Sequence, residues 1–291
     1  MKKLSTYLVS LVIAVVLVFM MIATALIVVV RTNVTAEKSI HLSEDMNIYS
    51  SIKGELEKYF SGQYNTTGIP ADIYMNAFDE NYIRTVTDSY TNALFTSLQS
   101  GRKTSTEIPQ NENFETNIKN FFSEYADSNG YEKDEVYDKK VSATIDNAYK
   151  VIENYCDIYK YSTLQEHGVI SKVSRIYNSL GKLMTVCIGV SVFLVVILIL
   201  VNIKGISGVL YWTGVSALIA GLFGTVPCAY LLGTNYFDSF VIKQAQVFRT
   251  FTGAMYGLTG VFMRASIGLL VIGILFIVSY AVINRRSKKS E

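Results

Sequence analysis

Residues 169–203 read VISKVSRIYNSLGKLMTVCIGVSVFLVVILILVNI. The second part, 183–203, holds 21 residues without a charge. The first part places Val169, Ile170, Val173, Ile176, Tyr177 and Leu180 at three- and four-residue spacing, in phase with Leu183 and Met184. That is the period of an α-helix. Gly181 weakens the run locally, but no proline interrupts it. One helix is therefore expected to pass from a polar region into an apolar solvent. Three other stretches are also uncharged: 7–30 and 209–232, with 24 residues each, and 265–283, with 19. At about 1.5 Å per residue the four reach roughly 28–36 Å, enough for a hydrocarbon core of about 30 Å.

Charge is partitioned to match. Residues 31–182 carry 16 Lys and Arg against 22 Asp and Glu, whereas the other 139 residues carry 10 basic and 2 acidic side chains. With 50% hydrophobic residues and a mean hydropathy of +0.30, this excludes a soluble enzyme, a nucleic-acid binder and a disordered chain. It points to a multi-pass protein whose surroundings are the lipid bilayer. Lys2 and Lys3 precede the first span, Lys204 separates the second from the third, and Arg285, Arg286, Lys288 and Lys289 follow the fourth. Four crossings put these groups on one side, which the positive-inside bias makes the cytoplasm, against counter-signals at Arg31 and Lys182. Both termini are then expected to be cytoplasmic at the cell membrane, with residues 31–182 and the 233–264 loop outside. Ala23-Thr24-Ala25 resembles a signal-peptide cleavage site, yet the apolar run continues to Val30, longer than the roughly 7–15 residues usual there, so an uncleaved anchor is expected.

The reading is all-α: four transmembrane helices, one anchor plus a three-helix C-terminal group, with an extracytoplasmic helical bundle inserted between spans one and two. Residues 1–30 form the cytoplasmic start and anchor, 31–182 the helical domain, 183–283 the three-span domain and 284–291 a basic cytoplasmic tail. Within the insert, apolar residues recur at helical spacing around Ile48–Phe60, Phe78–Leu98, Phe114–Tyr125 and Val141–Tyr159. Gly62 and Gly68-Ile69-Pro70 are expected to separate the first two helices, with Pro70 in the first turn of the next. Gly101 and Pro109 bracket a loop, and Gly130 closes the third helix. The first span is also expected to run past Arg31 toward 36–40, making two stems for one antiparallel bundle. Fourteen of the 20 tyrosines lie in this insert. Tyr49, Tyr82, Tyr90 and Tyr149 fit the core stripe, while Tyr131 and Tyr137, in the charged stretch after Gly130, are candidates for an interaction surface, with the carboxylates Asp79 and Glu80.

Residues suited to chemistry are sparse. His41 and His167 form no zinc motif, and no glycine-rich phosphate loop occurs. The group Glu132, Asp134, Glu135 and Asp138 matches no calcium-loop spacing and is interleaved with lysines, which fits a solvated face. Cys156 is the only cysteine in the insert, so a buried free thiol is expected. The spans as bounded above contain no Asp, Glu, His, Lys or Arg, and ion-coupled transport or intramembrane proteolysis draws on such groups. The expectation is a non-catalytic protein with no cofactor and no metal.

What the spans offer is close packing. Ser216, Ala220 and Gly224 repeat at four-residue spacing beside Gly214, Ala217 and Gly221, and Gly253 and Gly257 form a small-x-x-x-small pair before the fourth span. Small residues let helix backbones approach in lipid, within the chain or across a homo-oligomer seam. Pro227 is expected to kink the third span. Arg264 reads as an interfacial anchor. Residues 237–251 form either a surface helix with Phe237, Phe240, Val241, Phe248 and Phe251 toward lipid, or the approach to a fourth span that begins near Ala254.

The layout, one anchor, a large outer domain and three further spans, resembles the topology of FtsX/MacB-type ABC permeases. Those permeases meet their ATPase through a cytoplasmic element, usually between spans two and three, and here that loop is only about 202–208. Over the whole chain, the Ile/Lys/Asn/Tyr-rich composition, the MKKL start and the segment from Gly68-Ile69-Pro70 to Phe78-Asp79 resemble Firmicutes membrane proteins of this layout. The expected function is that of an outer helical module that binds or senses a protein, peptide or envelope component. A transport or export component is the alternative.

Overall fold

The computed structural model describes residues 2–287 apart from Glu107, Lys204 and Ile206. The basic markers Lys204, Lys288 and Lys289 lie outside the described residues. Among those described, the chain is all-α, with no strand. In order come α1 (Lys2–Asn33), α2 (Ala36–Asp45), α3 (Ile48–Thr67), α4 (Ala71–Met75), α5 (Glu80–Ser100) and α6 (Glu112–Asn129). They are followed by α7 (Glu135–Cys156), α8 (Tyr161–Glu166), α9 (Val169–Val201), α10 (Ser207–Gly233), a 3-10 turn (Tyr236–Ser239) and α11 (Ala245–Ser287). Helices α1, α9, α10 and α11 are each long and apolar enough to cross a membrane. Two compact units result, one of residues 36–175 with 241–253, the other of residues up to 35, 176–240 and those from 254 onward.

In the first unit, local side-chain chemistry sets the helix ends. Asp79 Oδ1 accepts from the Tyr82 N–H at 2.7 Å, Asn111 Oδ1 from Phe114 N–H at 3.1 Å, and Asp134 Oδ1 from the N–H groups of Val136 and Tyr137 at 3.0 and 2.9 Å. Each satisfies donors that an opening helical turn leaves unpaired. Helix α3 closes at Gly68, whose φ of 72° suits a residue without Cβ and whose N–H donates to the Tyr64 carbonyl at 2.7 Å. Gly101 and Gly130 close α5 and α6 as expected. Gly62 does not break the chain. It lies inside α3, where Ile48, Tyr49, Ile52, Leu56 and Phe60 are all buried. That burial outweighs the roughly 1 kcal/mol a glycine costs a helix interior. Pro70 precedes α4 as its N-cap, with φ −59° and ψ 145°, instead of entering the first turn.

The expected continuity of the two stems holds for one of them. Helix α9 runs unbroken from Val169 to Val201 through Gly181. Helix α1 stops at Asn33, the chain bends at 34–35, and α2 starts anew. Thr32 Oγ1 donates to the Val28 carbonyl at 2.8 Å and Asn33 Nδ2 to the Val29 carbonyl at 2.9 Å. Polar side chains thus bond to carbonyls of the final turn, a local competition with helix extension.

The core of this unit is aromatic and branched. Phe60 stacks on Tyr74 with ring centroids 4.1 Å apart, and Phe114 lies 4.6 Å from Phe78. Arg84 sits 4.7 Å over the Tyr49 ring and pairs with Glu44, while Tyr49 Oη donates to Asp88 at 2.7 Å. This ties α2, α3 and α5 together.

In the second unit, Ile13, Ala14 and Leu17 of α1 pack with Leu198 and Trp212. Ser216 is fully buried on α10 and its Oγ donates to the Ala14 carbonyl at 3.0 Å. Helices α10 and α11 meet backbone to backbone. A Cβ built on Gly221 would lie 2.7 Å from the Leu270 nitrogen, and one on Gly273 would lie 2.6 Å from the Leu218 nitrogen. Gly224 is closed off by Ser266, and Ala220 is buried. Helix α10 continues through Pro227 to Gly233. The surface helix over 237–251 does not form. Asn235 takes a left-handed conformation (φ 50°) that starts the 3-10 turn, and Phe237 is buried edge-on to Tyr256, with centroids 5.1 Å apart. The final helix begins at Ala245.

The two glycines of the Gly253/Gly257 pair behave differently. Gly253 is crossed by the Met46 side chain within the first unit, whereas Gly257 has nothing of the same chain within 4 Å of a Cβ built on it. Gly221→Val should therefore overpack the α10–α11 seam and lower the unfolding midpoint of the purified protein by the equivalent of about 1–3 kcal/mol. Gly257→Ala should leave the midpoint unchanged or raise it, through helix propensity alone. Thermal unfolding of both variants in one detergent checks the contrast.

Candidate functional site

Helix α7 is the element around which a site can be assembled. It buries Val141, Ile145, Ala148, Ile152 and Cys156, one stripe at helical spacing. Two flanks remain beside the stripe, and each lines a cleft.

One cleft, of about 860 Å³, lies between that flank and residues of α3, α4 and α6. Tyr59, Phe60, Ile69, Tyr74 and Phe122 form an apolar and aromatic wall. Facing them are Lys140, Thr144, Asn147, Lys150, Val151 and Asn154 of α7. No carboxylate lines it, and neither lysine has an ion pair among the described residues. Its size falls within the roughly 300–1,000 Å³ of ligand pockets, and its mix of ring surface with a few polar groups is the usual composition of such sites.

The other cleft, of about 520 Å³, is acidic: Glu115, Asp146 and Glu153 line it with Lys119, Tyr90 and Tyr149. Lys119 Nζ is already paired with Glu115 at 3.3 Å. Glu153 is engaged by the Tyr90 hydroxyl, so burial and that partner together raise the phenol above its ordinary range. The larger cleft is thus lined by lysines without carboxylates and the smaller mainly by carboxylates, while Lys150 also borders a third, small cleft with Glu153 and Asp157.

The surface residues picked out from sequence fall in two places. Tyr131 is 62% exposed at the α6–α7 turn, its ring 6.2 Å from Tyr125 at an interplanar angle of 19°. Tyr137 is half-buried and edge-on to Phe122 at 6.4 Å, and Phe122 itself lines the larger cleft. These tyrosines therefore belong to an aromatic cluster that continues into that cleft. Asp79 and Glu80 lie instead at the start of α5, where Asp79 is occupied as a helix cap and Glu80 is an exposed first-turn acid. Lys133 and Asp134 are likewise committed locally, the lysine to Ser123 and Asp127 and the carboxylate to capping α7. Arg264 is exposed on α11. Sequence reading found the buried stripe of α7 but not its flank. The available signal was the heptad recurrence of Lys140, Asn147 and Asn154 beside the stripe.

The buried titratable groups of this unit are structural. The Cys156 thiol is fully buried and pushed up to about 12 by loss of water, which leaves it protonated and unreactive near neutrality. Asp157 is raised by burial even though its carboxylate accepts from the N–H groups of Tyr161 and Ser162 at 2.7 and 2.8 Å, capping α8. Burial raises Tyr74 to about 12, and it lifts Tyr49 and Tyr82 as well. In the smaller cleft the hydroxyls of Tyr90 and Tyr149 are directed at the carboxylates Glu153 and Glu115.

Comparison with protein-family models, with curated proteins and with solved structures finds no match. The class of protein rests on the fold: an all-α, multi-pass membrane protein with a polar helical unit between its first two spans.

The raised phenols and thiol predict alkaline instability. Each of these groups holds its proton more tightly in the folded chain than in the unfolded one, so its contribution is complete below the ordinary pKa, near 9 for the thiol and 10 for the phenols. It is lost as pH climbs toward 12. Phenolate absorbance should therefore rise in two phases, exposed tyrosines first and the buried set together with loss of helical circular dichroism. A single phase preceding any loss of helix would contradict this.

Proposed function

We propose that the polar helical unit lies outside the cell membrane and binds or senses a protein, peptide or envelope component, without catalysis. The observation that carries the reading is the 860 Å³ cleft on α7, aromatic on one wall and bearing two unpaired lysines on the other. Side chains that serve only solubility have no need of a concave, ring-lined setting. The outside placement is supported by the short basic flanks Lys2, Lys3, Arg285 and Arg286, which mark one side of four crossings. On this reading both termini are cytoplasmic. Binding outside is then relayed through membrane partners or through a second copy of the chain. The tight glycine seam of α10 and α11 supports a scaffolding role for the spans.

The test combines placement with capture. With Cys156, Cys187 and Cys228 replaced, Tyr131→Cys should react with a membrane-impermeant maleimide in intact cells, and Asn284→Cys only after lysis. A photo-crosslinking amino acid at Phe122 should then trap a discrete partner that one at Phe223 does not. Protection of Tyr131→Cys in intact cells would sink the outside placement. Substrate flux in liposomes that survives deletion of residues 40–175 would favour the transport alternative.

A further inference from the structure

On α7, Lys140, Asn147 and Asn154 stand at successive heptad positions. Two full turns bring each nearly back to the same line, with a drift of about 20°. At about 1.5 Å rise per residue the three are spaced by about 10.5 Å along the cleft. An extended chain advances about 3.3–3.4 Å per residue, so three residues of such a chain match one step of this ridge to within about half an ångström. Lys150, ten positions after Lys140 on the same wall, lies about 15 Å along the axis, the reach of four to five extended residues.

The groups on the ridge are those that read a free peptide backbone. The Asn147 carboxamide is exposed, with no hydrogen bond among the described residues, and offers both a donor and an acceptor. Asn154 has its Oδ1 occupied by Lys160 Nζ at 3.0 Å, which leaves its NH2 to donate. A helix or a paired strand has already used its N–H and C=O groups internally, whereas an unpaired extended segment has them to give. The opposite wall supplies rings to the other face of such a segment, since alternate side chains of an extended chain point to opposite sides.

Resting on the reading of this unit as a binding module, we propose that the larger α7 cleft holds an extended acidic peptide segment. Its two carboxylates, four residues apart, meet Lys140 and Lys150, and apolar side chains between them meet Tyr59 and Phe122. The lysines supply charge to a cleft that no carboxylate lines, with Glu153 and Asp157 bordering Lys150 only on its far side. The Asn147 and Asn154 carboxamides set the register.

The experiment uses the full-length protein in detergent micelles and a fluorescein-labelled, end-blocked peptide, Gly-Glu-Leu-Ala-Phe-Glu-Gly, followed by fluorescence anisotropy. Saturable binding is expected, weakening with added salt. Lys140→Glu combined with Lys150→Glu should reduce affinity about tenfold, as should replacing both peptide glutamates with glutamine. Asn147→Leu should reduce it about threefold. Glu115→Gln, in the acidic cleft and paired with Lys119, should leave it unchanged, and unfolding midpoints should match across the exposed-site variants. Absence of saturable binding, or equal affinity for the double-lysine variant, overturns the inference. If polygalacturonate binds in a Lys140- and Lys150-dependent way and the peptide does not, the acidic peptide is overturned in favour of an anionic glycan while the binding-module reading stands. Failure of the peptide alongside a Phe122 crosslink to a partner likewise removes the peptide class and leaves the module.

Discussion

A backbone in hydrocarbon finds no water to bond with, so every N–H and C=O must be satisfied within the chain. That constraint shapes the second unit. Its long segments are helices whose N–H groups close on carbonyls one turn back, and several polar side chains follow the same rule, although Thr213 Oγ1 and Thr225 Oγ1 are buried without a partner among the described residues. Thr24 donates to the Met20 carbonyl and Ser191 to the Cys187 carbonyl, while Ser216 bridges from α10 to the α1 backbone. Association then depends on contact area, because lipid tails are as apolar as leucine. Gly214, Gly221 and Gly273 provide that area by removing side chains where α10 and α11 meet.

The first unit answers to water, and its devices differ. Helices α5, α6 and α7 begin at Asp or Asn caps, and α3, α5 and α6 end at glycines. A continuous core of Phe, Tyr and branched aliphatics holds them together. Much of the tyrosine content is spent in that core, with hydroxyls led to partners: Tyr49 to Asp88, Tyr82 to the Pro109 carbonyl, and Tyr161 to Ser97 and Thr104. The surplus rings gather at the α6–α7 turn and along the larger cleft. Helix α7 belongs to both stories, since one stripe completes the core while residues beside it line the clefts.

Periodicity made the helices legible in advance, because burial on one face leaves a repeat that needs no knowledge of partners. The four long apolar runs, the closures at Gly68, Gly101 and Gly130, and the unbroken α9 were all readable for that reason. Features decided by competition between neighbours were not. The end of α1 turns on which carbonyls Thr32 and Asn33 capture, Gly62 sits in a helix held down by the buried residues from Ile48 to Phe60 that precede it, and the first turn of α8 has its N–H groups met by Asp157. Of the candidate site, Tyr131 and Tyr137 were visible as rings in a charged stretch, but the cleft they adjoin is made by α3 and α7, separated by some seventy residues of chain. No local pattern announces such a meeting. Asp79 looked available and proved to be a cap, a role that depends on backbone geometry one turn ahead.

Helix α11 has 43 residues, which at about 1.5 Å each is roughly 64 Å, about twice the thickness of a hydrocarbon slab. Between Arg264 and Arg285 it carries 20 residues without a charge, about 30 Å of rod bounded by a cation at either end. Such a segment works as a calliper. With its two guanidinium groups in opposite headgroup layers it would resist sliding, and a membrane thicker or thinner than this gap would be met by leaning of the rod or dimpling of the lipid.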